Sequence, residues 1–304
     1  MSDTATLDAV FRDAVAAIDA GDVAALEGTL TAHPELVRER LESPGAWLRD
    51  VVGDALDGFF ARPWLLWFVA EDPVRRDTLP PNIADAARAI VCALDRERPA
   101  SRQEQLDYAL RLVAWSWVAA RCGVQRALID VLADAGATLD GCPDDALVNG
   151  HADAAAHLIA RGAAPTLASA LYLGRMEDAA RLAPLADAAQ RQFALVLCAL
   201  GGRAEGVRAV LDAGADPTAP SGHLYSHGTP LHHAVCSGSL ETVRALVDAG
   251  ARLDARDTLW DGTPLGWAEH FVEQHAGGER HAGYAAILAW LRGRAPATRV
   301  DDSA

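Results

Sequence analysis

Residues 228–251 read GTPLHHAVCSGSLETVRALVDAGA, and this stretch carries the clearest structural signal in the chain. Thr229 and Pro230 open a short helix, because proline has no N–H to donate and is tolerated in a first helical turn. The run that starts at Leu240 places apolar residues at helical spacing, which predicts a second helix with one buried face. Gly250 stands where such a helix ends in the left-handed conformation. The stretch therefore predicts two consecutive helices.

The same features recur along the chain. A second copy, GTPLGWA, occupies residues 262–268, and Thr263 lies 34 positions after Thr229. Four predicted helix endings share a glycine followed by alanine, and these glycines are Gly136, Gly162, Gly214 and Gly250. Their intervals are 26, 52 and 36 residues, and because 52 is twice 26, one capping glycine is missing between the second ending and the third. The pattern predicts a repeated helix pair.

These residues resemble ankyrin repeats, whose period is about 33 residues. The resemblance rests on Thr-Pro-Leu-His at residues 229–232 and on the Leu-Glu-x-Val-x-x-Leu-Val run that follows. It implies an all-α, ankyrin-type helical solenoid that presents a concave groove to a protein partner. Residues 62–73, RPWLLWFVAEDP, also resemble part of a bacterial ankyrin-like family.

Four segments follow from the repeat pattern. Residues 1–120 are predicted to form an N-terminal helical block continuous with the stack. Residues 121–215 are predicted to form degenerate ankyrin-like helix pairs that lack the long hairpin finger. Residues 216–292 are predicted to hold two full repeats and a C-terminal cap helix, and residues 293–304 a polar tail.

The N-terminal block carries its own helix signals. Helical spacing predicts helices over residues 46–60, 63–71 and 82–96. Ser101 and Glu104 predict a capping box before a further helix over residues 106–120. No segment of the block alternates as a strand does.

Composition excludes several classes of function. The 304 residues carry a net charge of −15, which disfavours binding to nucleic acid and to anionic membranes. No stretch of about 18 apolar residues and no signal peptide is visible, so we expect a soluble, cytoplasmic protein. The five cysteines form no Cys-x-x-Cys pair, which argues against a disulfide framework or a zinc knuckle.

Candidate site residues concentrate in the two predicted fingers and in the helices that follow them. His223, Tyr225 and His227 alternate before the first Thr-Pro-Leu triplet, so on an extended finger they share one side. When the two triplets are aligned, His270 falls at the level of Cys236, where the first helix of a repeat faces the groove. His227, Cys236 and His270 are therefore predicted to converge.

The other candidates come from the same alignment. The candidate catalytic residues are His227, His270, Tyr225 and Glu269, and the candidate ligand-binding residues are His223, His233, Cys236, Asp257, Trp260 and Trp267. Trp260 is expected to form an apolar wall. If the cluster holds a metal, Glu269 or Asp257 completes the site. If it acts by acid/base chemistry, the pair is His227 with Tyr225 or His270 with Asp257. Because the spacing is not diagnostic of a metal, we predict no metal and no cofactor. His232 is interpreted as a structural histidine that hydrogen-bonds within its repeat.

Two classes of function stay open at this point. The first is a binding module for a protein partner, as the ankyrin resemblance implies. The second is an enzyme or a small-molecule-binding protein that uses the His/Tyr/Trp cluster for acid/base or metal-assisted chemistry. No Gly-x-Ser-x-Gly elbow and no phosphate-binding glycine loop is present to name a reaction.

Overall fold

The computed structural model describes residues 3–294, and every regular element among them is helical. The chain divides into two compact units between Ala164 and Pro165. This division lies inside the predicted array of residues 121–215, and the segment limits given by the repeat pattern stay predictions. The predicted polar tail lies, from residue 295 onward, outside the described residues.

The first unit contains ten α-helices within residues 3–164. They are α1 (Asp3–Ala20), α2 (Val23–Ala32), α3 (Glu35–Arg38), α4 (Ala46–Val52), α5 (Ile83–Glu97), α6 (Arg102–Trp115), α7 (Trp117–Arg121), α8 (Gln125–Asp134), α9 (Cys142–Val148) and α10 (Ala152–Ala160). Helix α2 packs between α1 and α5, and α6 packs against α8 and α9. The aromatic side chains of Trp64, Trp67 and Phe68 are buried in this unit.

The second unit contains eight α-helices within residues 165–294. They are α11 (Leu167–Tyr172), α12 (Met176–Leu182), α13 (Ala188–Leu200), α14 (Ala204–Asp212), α15 (Pro230–Ser237), α16 (Leu240–Asp248), α17 (Pro264–Gln274) and α18 (His281–Arg292). Helices α11, α13, α15 and α17 pack in one row, and α14, α16 and α18 pack in a second row. Each helix pair thus buries its apolar face against the pairs beside it.

Helix α15 begins at Pro230 and α16 ends just before the left-handed Gly250, as the sequence predicts. The backbone N–H of Thr229 donates to Nδ1 of His232, which ties the start of α15 to its own first turn. Gly238 ends α15 in the left-handed conformation, and the Ser239 hydroxyl accepts from the N–H of Thr242 at the start of α16. Leu231, Val243 and Leu246 are fully buried, as their helical spacing requires.

The N-terminal block departs from three predictions. The helix predicted over residues 46–60 stops at Val52 and continues only as a 3₁₀ helix, because Gly53 takes a positive φ of 51°. The segment 63–71 forms a 3₁₀ helix over Leu65–Ala70. The helix predicted over 106–120 is interrupted at Ser116, whose hydroxyl caps α7 by accepting from the N–H of Ala119.

The capping box predicted at Ser101 and Glu104 is absent. The Ser101 hydroxyl caps no N–H and instead accepts from the side-chain amide of Gln105. The Glu104 carboxylate pairs with Arg40. The helix predicted over residues 82–96 is confirmed as α5.

No helix in residues 3–294 is both long enough and apolar enough to cross a bilayer.

The packing of α18 against the end of α15 gives a prediction for Gly283. A Cβ at Gly283 would lie 2.5 Å from the carbonyl oxygen of Gly238, so backbone would have to move. Alanine usually stabilises a helix by about 1 kcal/mol relative to glycine. Because overpacking costs about 1–3 kcal/mol and offsets this gain, we expect Gly283→Ala to lower the free energy of unfolding by up to about 2 kcal/mol, measured by urea denaturation.

The matched control is Gly28→Ala in α2. An added Cβ at Gly28 has no atom within 4 Å, so the substitution should raise stability by about 0.5–1 kcal/mol. Stabilisation by both substitutions would show that α18 does not approach the carbonyl of Gly238.

Candidate functional site

A pocket of about 660 Å³ lies in the second unit, where two finger loops meet α15 and α17. Its lining residues are Leu200, Tyr225, His227, His233, Cys236, Trp260, Gly262, Gly266, Trp267, His270 and Phe271. Tyr225 and His227 belong to the first finger, and Trp260 to the second. None of these lining residues is an aspartate, glutamate, lysine or arginine.

The first finger is fixed onto α15 by one backbone group. Tyr225 takes a positive φ of 44°, and its carbonyl accepts from Nε2 of the buried His233 at 3.1 Å. The neighbouring Leu224 side chain is buried and anchors the finger. This left-handed turn breaks the alternation that the sequence predicts for His223, Tyr225 and His227. His223 is exposed and does not line the pocket, whereas the rings of Tyr225 and His227 lie 6.3 Å apart on its wall.

The second finger is organised by the carboxylate of Asp257. One oxygen, Oδ1, accepts from the N–H groups of Leu259 and Trp260 at 2.9 and 2.7 Å. The other, Oδ2, accepts from the N–H of Gly262 at 2.8 Å and from the indole Nε1 of Trp267 at 2.9 Å. The carboxylate therefore holds both the finger backbone and the ring orientation of Trp267.

The ionisation of Asp257 follows from these contacts. Burial of the carboxyl raises its pKa, but the four N–H donors favour the charged form and bring the pKa down to about 2. The sequence predicts Asp257 to be a ligand-binding residue. In the structure its two oxygens are already engaged by the protein, so it acts on the pocket through Trp267.

The two fingers are also joined to each other. The N–H of Thr258 donates to the carbonyl of His227 at 2.9 Å. His232, fully buried, donates from Nε2 to the carbonyl of Gly262 at 3.1 Å, and burial lowers its pKa. Within its own repeat, Nδ1 of His232 accepts from Thr229, as predicted, and Nε2 additionally links this repeat to the next.

Four rings form the wall shared by both fingers. His227 packs edge-to-face on Trp260 with ring centroids 5.4 Å apart, and stacks on Trp267 at 5.9 Å. Trp260 and Trp267 meet at 5.9 Å, and His227 meets His233 at 5.9 Å. Such offset and edge-to-face pairs are the favoured arrangements of aromatic rings.

Two titratable side chains of the pocket, His233 and Cys236, are uncharged near neutral pH. Burial lowers the pKa of His233 to about 4, and burial raises the pKa of the Cys236 thiol to about 12. A thiol with such a pKa is not ionised and is a poor nucleophile. Cys236 therefore lines the pocket as a protonated thiol.

The predicted acid/base and metal-binding residues do not form the contacts that such a site would need. The Glu269 carboxylate accepts from Arg292 at 2.9 Å and does not line the pocket. Within the described part of the chain, no hydrogen bond joins His227 to the Tyr225 hydroxyl, or His270 to Asp257. Residues 3–294 contain no group of three or more His, Cys, Asp or Glu side chains placed to hold a metal ion.

Two lining side chains are absent from the sequence-based candidates. Phe271 lies four residues after Trp267 on α17, so its place on the same helix face follows from helical spacing. Leu200 ends α13, in a repeat that has lost its Thr-Pro-Leu signature, so the alignment offers no position for it.

Comparisons with known proteins find ankyrin repeats in this chain. The family model for ankyrin repeats in three copies matches residues 117–257. Cyclin-dependent kinase inhibitor 2A of Homo sapiens is 33% identical over an alignment of 131 residues, which takes in 31% of this chain and 83% of that protein. The crystal structure of the human ASB11 ankyrin repeat domain matches with a TM-score of 0.33 and 19% identity, over 67% of this chain and 96% of that chain.

Proposed function

The chain belongs to the ankyrin-repeat family, and we propose that its second unit binds a protein partner through the aromatic pocket and the finger tips beside it. The observation that carries this proposal is the exposure of three large apolar side chains on the fingers. Tyr225 is 48% exposed, Leu259 62% and Trp260 68%. Ankyrin repeats are generally protein-interaction modules, and such exposed apolar groups mark contact surfaces.

Trp260 is the expected centre of the contact. Its ring is exposed on one side and packs on His227 and Trp267 on the other. Tryptophan and tyrosine supply much of the binding energy at protein interfaces, because they bury a large area with few rotatable bonds. A partner that covers Trp260 also closes the pocket from water.

The fingers are held in place without a partner. The Asp257 carboxylate fixes the second finger, and His233 fixes the first through the carbonyl of Tyr225. Binding therefore loses little loop entropy, which supports affinity for a given buried area. The human relative, by its name an inhibitor of a kinase, supports the same class of ligand, a protein.

Replacement of Trp260 by alanine tests the proposal. Peptides selected from a random displayed library on the immobilised full chain should lose at least tenfold in affinity for Trp260→Ala, or about 1.4 kcal/mol, measured by fluorescence anisotropy. The matched control is Leu185→Ala, because Leu185 belongs to the same unit, is 76% exposed and does not line the pocket. Equal affinities for the Trp260→Ala and wild-type chains would place the binding surface elsewhere.

A small-molecule ligand is the second candidate. The volume of about 660 Å³ lies in the range of roughly 300–1,000 Å³ that ligand pockets occupy. Acid/base or metal-assisted catalysis has less support, because the thiol of Cys236 is protonated and Asp257 is engaged by finger N–H groups. The cytoplasmic location and the bacterial origin stay predictions.

A further inference from the structure

The lining of the pocket contains no aspartate, glutamate, lysine or arginine, so its rings decide which ligand charge it favours. Seven of its eleven lining residues have rings, and the other four are Leu200, Cys236, Gly262 and Gly266. An aromatic face carries partial negative charge and attracts cations within about 6 Å of the ring centroid. Four of the seven rings belong to Tyr225, Trp260, Trp267 and Phe271, the residue types whose faces attract a cation.

Asp257 adds a full negative charge behind one of these rings. Its Oδ2 accepts from the indole Nε1 of Trp267 at 2.9 Å, and its pKa of about 2 keeps it ionised. No arginine or lysine lines the pocket to offset this charge. The electrostatic potential of the pocket therefore favours a cation over an anion.

The polar groups of the pocket decide which cation fits. A primary ammonium carries three N–H donors and is strongly hydrated, so it needs acceptors to replace its water. The oxygens of Asp257 are already engaged, and Nε2 of His233 donates to a carbonyl. No carboxylate oxygen is therefore left to accept from an ammonium, and the acceptors that remain in the lining are the Tyr225 hydroxyl and the ring nitrogens of His227 and His270. A trimethylammonium group has no N–H to satisfy, and its methyl groups pack directly on rings.

We propose that the pocket receives a methylated lysine side chain of the protein partner, an inference that rests on the proposed function and names the group inserted. The present chain contains no lysine, so a second copy of it cannot supply this group. The exposed Tyr225, Leu259 and Trp260 at the rim offer contacts to the residues that flank the inserted side chain.

The experiment compares four small ligands on the full-length chain. They are Nα-acetyl-Nε-trimethyl-lysine amide, the unmethylated amide, a neutral analogue with a tert-butyl group in place of the trimethylammonium, and choline. Binding is followed by the indole N–H signals in ¹H–¹⁵N spectra. We expect the trimethylated amide to bind at least tenfold more tightly than each of the other three.

Single substitutions test whether the trimethylated amide binds in the pocket. Trp260→Ala should reduce affinity for the trimethylated amide at least tenfold, and Leu185→Ala should leave it within twofold, since Leu185 is exposed in the same unit but does not line the pocket. Trp267→Phe keeps a ring and removes the N–H bonded to Asp257, so a loss of several-fold is expected. Unchanged dispersion of the remaining indole signals shows that each variant is folded.

Two results would overturn the inference. Equal binding of the neutral analogue would show a purely apolar pocket, and tighter binding of choline would make a free metabolite the ligand. Selected peptides could bind equally well to wild type and to Trp260→Ala while the trimethylated amide still binds tenfold more tightly than the other ligands. That result would overturn the proposed protein-binding function and leave the cation preference of the pocket standing. If peptides depend on Trp260 and the neutral analogue binds equally well, the methyl-lysine inference fails alone.

Discussion

Replacement of Leu246 by alanine should lower the free energy of unfolding by about 2–5 kcal/mol. Leu246 lies on α16 and is fully buried. The substitution removes the transfer energy of three carbon atoms and leaves a cavity that the neighbouring helices α14, α15 and α18 fill only in part. Urea denaturation of the full chain, followed by circular dichroism, measures the loss.

The control for this prediction is Leu259→Ala, the same change at a side chain that is 62% exposed. Exposed substitutions usually alter stability by less than about 0.5 kcal/mol. If the two variants unfolded at the same urea concentration, the buried face assigned to α16 would be wrong, and the repeat register with it.

Asp257→Asn should lower the free energy of unfolding by about 2–3 kcal/mol at neutral pH, because hydrogen bonds to a charged acceptor are the strong ones. An amide has one oxygen in place of two, and its NH₂ group would face N–H donors of the finger. The loss should be accompanied by a change in the Trp267 indole signal, since Asp257 accepts from that N–H.

The pH dependence of this loss has a defined sign. The pKa of Asp257 falls from its ordinary 3.8 to about 2 on folding, so its charge stabilises the native state above about pH 4. This contribution disappears as the pH falls toward 2. The difference in thermal midpoint between wild type and Asp257→Asn should therefore narrow between pH 4 and pH 2.

Asp261→Asn provides the matched control for Asp257. The Asp261 side chain is 79% exposed and pairs with Arg256, and exposed ion pairs contribute little. A difference between wild type and Asp257→Asn that stayed constant down to pH 2 would contradict the hydrogen-bonded, ionised state of Asp257.

The helices of the two full repeats are predictable because their signals are local. Thr229 and Thr263 precede a proline that starts a helix, and Gly250 ends one, so sequence position and structure coincide. The same repeat register, read from the sequence, places Tyr225, His227, Trp260 and His270 in one region of the fold. The structure brings these four to one pocket.

The orientations of other candidate side chains depend on contacts that the repeat period does not predict. The Asp257 carboxylate turns toward the N–H groups of its own finger, and Glu269 pairs with Arg292 from another helix. His223 leaves the pocket because one left-handed residue, Tyr225, reverses the alternation of the finger. In the first unit, residues 53–70 have no repeat to align with, so helical spacing alone predicts α-helices where the chain forms 3₁₀ turns.

The indole spectrum of the full chain shows directly whether a peptide binds at the aromatic pocket. The eight tryptophans give eight indole N–H signals, and only Trp260 and Trp267 belong to the pocket. On titration with a selected peptide, these two signals should shift together, while those of Trp117 in the first unit and Trp290 on α18 stay in place. Shifts at Trp117 or Trp290 with Trp260 and Trp267 unmoved would contradict binding at the aromatic pocket.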